Sequence, residues 1–189
     1  MEDKKENQTF PPTDDGEIRI QKVEKEDIPE VLDFIDEIYE EMPDKSWLTK
    51  DSRENMTRYM TSSGFALKAE VCDEKGEHEL AAIFVSRTSE LGDENLGIYM
   101  NLDKEQLEHV AHMELSMVGK NYRGKGIQKK LMENAEKRLK AMGYCWLMGK
   151  AHPENIYSAN NYQRLGYETV AEIKMSDGSP RSIFGKKIQ

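Results

Sequence analysis

The chain has 189 residues, room for one domain and a short tail. Its 36 acidic residues outnumber 27 basic ones, giving a formal charge of −9, and 33% of all residues are charged with both signs mixed. That is a soluble globular composition whose overall field disfavours nucleic acid and anionic membranes as partners.

Residues 1–16 are polar, carry Pro11-Pro12 and Gly16, and read as a flexible tail ahead of a single domain over 17–189. The opening MEDKKENQTF has no apolar core, so no secretory signal is expected. Ile18 and Ile20 alternate in a first strand over 17–23. Asp27 and Glu30 form a capping-box pattern, with Pro29 in the first turn. Val31, Leu32, Ile35, Ile38 and Met42 then recur at helical spacing up to Pro43, and 51–62 reads as a second, shorter helix. Strands over 65–72 and 80–86 flank the turn Asp73-Glu74-Lys75-Gly76 as a hairpin. The longest apolar run, Leu80 to Val85, is far below the roughly 20 residues that cross a bilayer. Residues 90–108 are acidic and resist assignment, apart from one or two helical turns over 103–109.

A strand over 111–118, a glycine-containing turn, a helix carrying Ile127, Leu131, Ala135, Leu139 and Met142, and a strand over 144–151 follow. This β-α-β order implies a parallel pair and a right-handed crossover. A short helix after Pro153 runs to Leu165 and Gly166, and strands over 167–174 and 181–188 close the chain as a hairpin. The expected fold class is α/β (α+β), with a mixed, mostly antiparallel sheet and flanking helices. Cys72 and Cys145 lie far apart without metal-ligand spacing and read as buried thiols in a reducing cytoplasm. His109 and His112 lack a third ligand, so no metal is expected.

The most informative segment is NYRGKGIQKKLM, residues 121–132, between a strand and an amphipathic helix. A helix N-terminus presents unpaired N–H groups and partial positive charge, and glycines let that backbone approach a ligand closely. Lys120, Arg123, Lys125, Lys129 and Lys130 put five positive charges and no acid into residues 119–130. The rest of the chain therefore carries −14. Lysines in a first helical turn oppose the helix dipole, and a phosphate-bearing ligand would relieve that conflict. The segment is no P-loop, since Gly124-Lys125 is followed by Gly126 rather than by Ser or Thr. Nor is it a dinucleotide fingerprint, since Lys129 stands where the third glycine belongs.

The turn resembles the pyrophosphate motif Arg/Gln-x-x-Gly-x-Gly/Ala of the Gcn5-related N-acetyltransferase (GNAT) superfamily. Arg123 and Gly126 match it; Gln128 departs from the usual Gly or Ala. HPENIYSANNYQRLGY, residues 152–167, is similar to the same family's C-terminal motif, with Asn155 and, seven residues on, Tyr162 followed by Leu165-Gly166-Tyr167. The resemblance extends in element order over about 17–188, looks closest to bacterial members without an assigned acceptor, and is specific over 114–130 and 152–167.

That resemblance implies a GNAT-like fold with a splayed central parallel pair, and acetyl transfer from acetyl-CoA to a primary amine of a small molecule or peptide. Backbone N–H groups over Arg123, Gly124, Lys125, Gly126, Ile127, Gln128 and Lys129 would hold the coenzyme A pyrophosphate, with charge-assisted contacts from Arg123, Lys125 and Lys129. The preceding strand would carry a bulge, admit the pantetheine arm, and polarise the thioester carbonyl with a backbone N–H at Met117-Val118, that of Val118 foremost. Tyr162 is the implied general acid toward the thiolate, and Asn155 either contacts the cofactor or caps its helix. The base is Glu114 or, on the same strand face, His112. Trp47 and Tyr59 line the acceptor pocket or pack the core. The acidic run Asp36, Glu37, Glu40, Glu41 and Asp44 is either an acceptor-recruiting patch or a solvated face. Direct attack in a ternary complex is expected, because neither cysteine has a base placed beside it. The rival is a non-catalytic acyl-CoA-binding module of the same fold. No nucleic-acid or membrane partner is expected, the location expected is cytoplasmic, and monomer and homodimer both remain open.

Overall fold

The computed structural model describes residues 13–14, 18–72, 77–89 and 91–189. The expected tail, 1–16, lies outside the described residues apart from Thr13–Asp14, a two-residue strand (β1) pairing antiparallel with Arg19 and Ile20. The turn expected at 73–76 also lies outside them. Seven further strands follow: β2 (Ile18–Lys22), β3 (Gly64–Cys72), β4 (His78–Arg87), β5 (Val110–Val118), β6 (Trp146–Ala151), β7 (Glu168–Lys174) and β8 (Pro180–Lys187). They form one mixed sheet in the order β1-β2-β3-β4-β5-β6-β8-β7. Every neighbouring pair is antiparallel except β5 and β6, which are parallel. The helices are α1 (Ile28–Glu40), α2 (Arg53–Thr61), α3 (Lys104–Leu107), α4 (Ile127–Ala141) and α5 (Ile156–Arg164).

The apolar periodicities become two packed layers. Ile127, Leu131, Ala135 and Leu139 of α4 are buried against Ala82 and Phe84 of β4 and Ala111 and Met113 of β5, with Tyr162 of α5 in the same cluster. On the opposite face Val31, Leu32, Ile35 and Ile38 of α1 and Met56, Tyr59 and Met60 of α2 cover Ile83, Val85, Leu115 and Met117. A third cluster beneath the 91–107 segment joins Leu91, Val110, Met148 and Ile183. That segment folds as short 3-10 turns and the single turn α3, where Asp103 and Gln106 cap each other reciprocally.

Two local expectations are corrected. Asp27 does not cap α1: the reciprocal box lies one turn earlier, between Glu24 and Asp27 around a 3-10 turn. The cause is a competing demand. Buried Lys68 needs carboxylates and takes one Asp27 oxygen at 2.9 Å and Glu70 at 2.7 Å, while the other Asp27 oxygen accepts from the Glu24 N–H at 2.9 Å. The cysteines are not buried as expected. Cys72 is exposed at the end of β3, and Cys145 is half-buried because it precedes β6 rather than lying inside it.

Candidate functional site

The chemistry-bearing residues converge where β5 leaves β6. The parallel ladder runs from Val110–Trp146 to Met113–Gly149 and stops, after which β5 continues on β4 and β6 on β8. At the same point the β4–β5 register steps: Ser86 faces Met113 but Val85 faces Leu115, so Glu114 is an extra, bulged residue. The bulge inverts the side-chain alternation. Before it Ala111 and Met113 face the α4 layer; after it Leu115 and Met117 face the α1–α2 layer.

Beyond the bulge the Gly119 N–H donates to the Ala81 carbonyl at 2.9 Å. By strand alternation the Val118 N–H is then directed away from β4, toward the side β6 has vacated. The Met117 side chain is buried and its main chain, by the same alternation, faces β4, so of the two only Val118 turns main-chain groups toward that gap. Arg123 Nε donates to the Val118 carbonyl at 3.2 Å, tying the following turn to the end of the strand.

The turn itself is built by two glycines in the left-handed region, Gly124 (φ 79°) and Gly126 (φ 75°). No side chain caps α4, and its first turn holds no acid. The N–H groups of Gly126 through Lys129 find no acceptor among the described residues. Ile127 contributes only its N–H, since its side chain is buried beneath the helix. The Gln128 Oε1 accepts from Asn161 Nδ2 at 2.8 Å, which draws this side chain toward α5. Lys125 lies over the Tyr122 ring, and Lys129 is 3.7 Å from Glu133. The Asn155 side chain accepts from the Ser158 N–H at 3.2 Å, so it caps α5.

Tyr162 reaches from α5 under the fork. It is 5% exposed, stacks on Phe184 with a 4.7 Å centroid separation, meets Tyr167 edge-on, and donates its phenol proton to the Met113 carbonyl at 3.1 Å. Burial, aided by the Glu114 charge, pushes this phenol well above its ordinary pKa. Gly149 of β6 makes the room: a Cβ there would lie 2.2 Å from the phenol oxygen. The unusual glycine inside a strand was a readable signal of close approach.

On the sheet's other face a cleft of about 300 Å³ opens between the α1–α2 layer and the 91–107 segment. Glu114 and His112 sit on its floor, with Trp47, Asp51, Tyr59, Arg87, Glu94, Lys150 and Arg181 among the walls. Trp47 and Tyr59 thus line the pocket, and Tyr59 also packs the core. His112 Nε2 accepts from the Leu96 N–H at 3.0 Å, which puts the ring proton on Nδ1, 3.7 Å from Glu114. Burial raises the Glu114 carboxyl, but attraction from His112, Lys150 and Arg87 outweighs it and holds the group below its ordinary pKa. Burial pushes the Asp51 carboxyl up. Arg87 is engaged by Glu94 at 2.6 Å. Asp51, Arg87, Lys150 and Arg181 carried no recognisable motif, and only tertiary packing brings them here.

Three members of the acidic run, Asp36, Glu40 and Asp44, are engaged locally. Asp36 binds Lys50 at 2.6 Å and Arg53 at 2.5 Å, Glu40 binds Lys45 at 2.9 Å, and Asp44 caps the Lys45–Trp47 turn through the Ser46 N–H. Among the described residues no helix is long and apolar enough to cross a membrane, and no three His, Cys, Asp or Glu side chains cluster as a metal site.

Residues 32–167 match the model of the Acetyltransferase (GNAT) family. No curated protein matches the sequence. Among solved structures, an acetyltransferase of the GNAT family from Streptococcus pneumoniae is 19% identical, with a TM-score of 0.64 over 91% of this chain and 100% of that one. A GCN5-related N-acetyltransferase from Kribbella flavida is 17% identical, with a TM-score of 0.63 over 90% and 98%. Arabidopsis thaliana NAA60, solved in complex with acetyl-CoA, is 15% identical, with a TM-score of 0.66 over 90% and 98%.

Proposed function

This chain belongs to the GNAT acetyltransferase family, and from that premise we propose that it transfers an acetyl group from acetyl-CoA to a primary amine of a small molecule or peptide, by direct attack in a ternary complex. The observation that carries the reading is the fork between β5 and β6. An anion cradle opens at one end of it, and an acceptor cleft with a carboxylate on its floor lies across the sheet.

The residues fit the donor. Orphan N–H groups over Gly126–Lys129, two glycines at positive φ and the cations Arg123, Lys125 and Lys129 suit a pyrophosphate. Bound there, acetyl-CoA supplies an activated acetyl thioester. Gln128 is compatible with this, because its N–H faces the cradle while its side chain is held by Asn161. The Val118 N–H is the donor placed to polarise the thioester carbonyl. Asn155 acts through the start of α5, which its cap holds in place.

Glu114 is the base. Ionised and buried beside the fork, it accepts the proton of the attacking amine directly or through one water. His112 is the positioning residue: with Nε2 occupied by Leu96, it steadies the carboxylate through Nδ1–H. Tyr162 serves the departing sulfur, its one O–H turning there from the Met113 carbonyl when the pantetheine arm enters the fork. Its raised pKa makes complete proton transfer to a thiolate uphill, so a hydrogen bond from the phenol is the larger part of its contribution. Neither Cys72 nor Cys145 lines the cleft, which supports direct transfer over an acyl-enzyme.

Thiol release from acetyl-CoA across a panel of amines tests the reading. Wild-type protein should turn over, and Tyr162→Phe should lose roughly 10- to 100-fold in kcat with little change in acetyl-CoA affinity. Tight acetyl-CoA binding without turnover on any amine would identify the chain instead as a binding module.

A further inference from the structure

The cleft's charges are balanced everywhere except at one end. Arg87 has Glu94, and Lys150 lies among the carboxylates of Glu114 and Asp51, both of which feel its charge. Arg181, at the start of β8, is different. It is 2% exposed, yet no carboxylate lies within salt-bridge distance of it among the described residues. Among the described residues its guanidinium makes two hydrogen bonds, both neutral, to the Pro180 carbonyl at 2.7 Å and to Thr49 Oγ1 at 3.3 Å. Burial without a counter-charge pulls its pKa down, with only a distant contribution from Asp177 opposing.

A buried, uncompensated charge is costly, and a fold that keeps one has a use for it. The neighbourhood is rich in donors. The Trp47 indole N–H is buried without an acceptor among the described residues, and the Ser176 hydroxyl lines the same cleft. Glu114 and Arg181 stand two strands apart, on β5 and β8, so their backbones are separated by more than roughly 10 Å. The excess arises because β5 and β6 have already diverged at Glu114, and Arg181 lies further along β8 than Phe184, the residue level with Met113.

We propose that Arg181 is the specificity-determining residue of the acceptor cleft and selects amines that also carry a carboxylate, the amine lying at Glu114 and the carboxylate at the Arg181–Thr49 end. This rests on the acetyl-transfer reading and deepens it. A planar guanidinium steadied by a hydroxyl offers two parallel N–H bonds to a carboxylate, which a lysine cannot reproduce.

The test compares 4-aminobutyrate, 6-aminohexanoate and lysine with their carboxamides and with hexylamine, as acceptors for wild type, Arg181→Gln, Arg181→Lys and Thr49→Val, each checked for native melting. Wild type should favour a carboxylate over its carboxamide by on the order of 10- to 100-fold in kcat/KM, mostly through KM. Arg181→Gln should collapse that ratio toward one, Arg181→Lys should restore only part of it, and Thr49→Val should lower it with the guanidinium still present. Equal use of carboxylate and carboxamide, or a preference that survives Arg181→Gln, overturns the inference while leaving acetyl transfer intact. Preference for phosphoethanolamine over every carboxylate also overturns it. If no amine turns over, acetyl transfer fails, and calorimetry with 6-aminohexanoate decides separately: binding to wild type but not to Arg181→Gln sustains the carboxylate site, and equal or absent binding removes it.

Discussion

Gly149→Ala is the sharpest perturbation available, because one added methyl group strikes the centre of the fork. Its Cβ would lie 2.2 Å from the Tyr162 hydroxyl oxygen, 2.5 Å from Cζ and 2.7 Å from Cε1. A side-chain tip can ordinarily swing clear, but this ring is clamped between Phe184 and Tyr167 and buried. Either the ring moves, losing its bond to the Met113 carbonyl, or β6 shifts away from β5. Overpacking costs about 1–3 kcal/mol, and leaving a buried carbonyl unpaired costs about 1–3 kcal/mol more. At about 2–4 °C per kcal/mol for a chain of this size, the melting temperature should fall by roughly 4–24 °C. Thermal melts followed by circular dichroism, beside thiol-release assays, measure both consequences. Activity should fall at least as far as in Tyr162→Phe, which removes the hydroxyl but leaves the ring stack. Melting within a degree or two of wild type, with normal turnover, would refute the placement of Tyr162 against β6.

Two further outcomes follow from the same geometry. Gly126→Ala meets open space but must hold φ at 75°, so it should cost only about 1–2 kcal/mol of stability. Its coenzyme A affinity by calorimetry should fall about 10-fold, because the N–H cradle depends on that conformation. Glu114→Gln should reduce kcat by about 100-fold or more. Since the Glu114 pKa is lowered, its carboxylate contributes stability above about pH 4.5, its unfolded value, and that contribution disappears as pH falls through the folded value. The melting difference between wild type and Glu114→Gln should therefore vanish in strong acid. Any acidic limb of kcat/KM between pH 6 and 8 should belong to the acceptor amine and persist in the variant.

What the sequence made legible was whatever depends on neighbours along the chain. The buried stripe of α4 repeats at helical spacing, and the 119–130 turn concentrates charge and glycine within a dozen residues. Pairing between strands left no such trace. Nothing local marks Glu114 as bulged, since the extra residue exists only relative to Val85 and Ser86 on β4. Arg181 reads as an ordinary polar residue at a strand start, and the hydroxyl its guanidinium contacts belongs to Thr49, 132 positions earlier. The capping box was misplaced by one turn because Lys68, on a distant strand, competes for Asp27. The acidic run at the end of α1 divides in the same way: Asp36 and Glu40 are taken up by Lys45, Lys50 and Arg53, which no local pattern announces, while Glu37 and Glu41 are exposed.

The bulge also constrains how this strand can change. With Glu114 inserted, α4 and the α1–α2 pair read one strand out of phase, each taking alternate residues from its own half. Deleting Glu114 would restore unbroken alternation with Leu115 and Met117 still in the α1–α2 layer, whereas deleting Ser116 would turn one of those two side chains into the wrong layer. Apolar side chains can be exchanged there for others of similar volume, and the residue that can be lost without crossing layers is Glu114 itself. The insertion is therefore not what keeps the two layers in phase; what it adds to β5 is a second adjacent side chain on the cleft face, Glu114 beside Leu115.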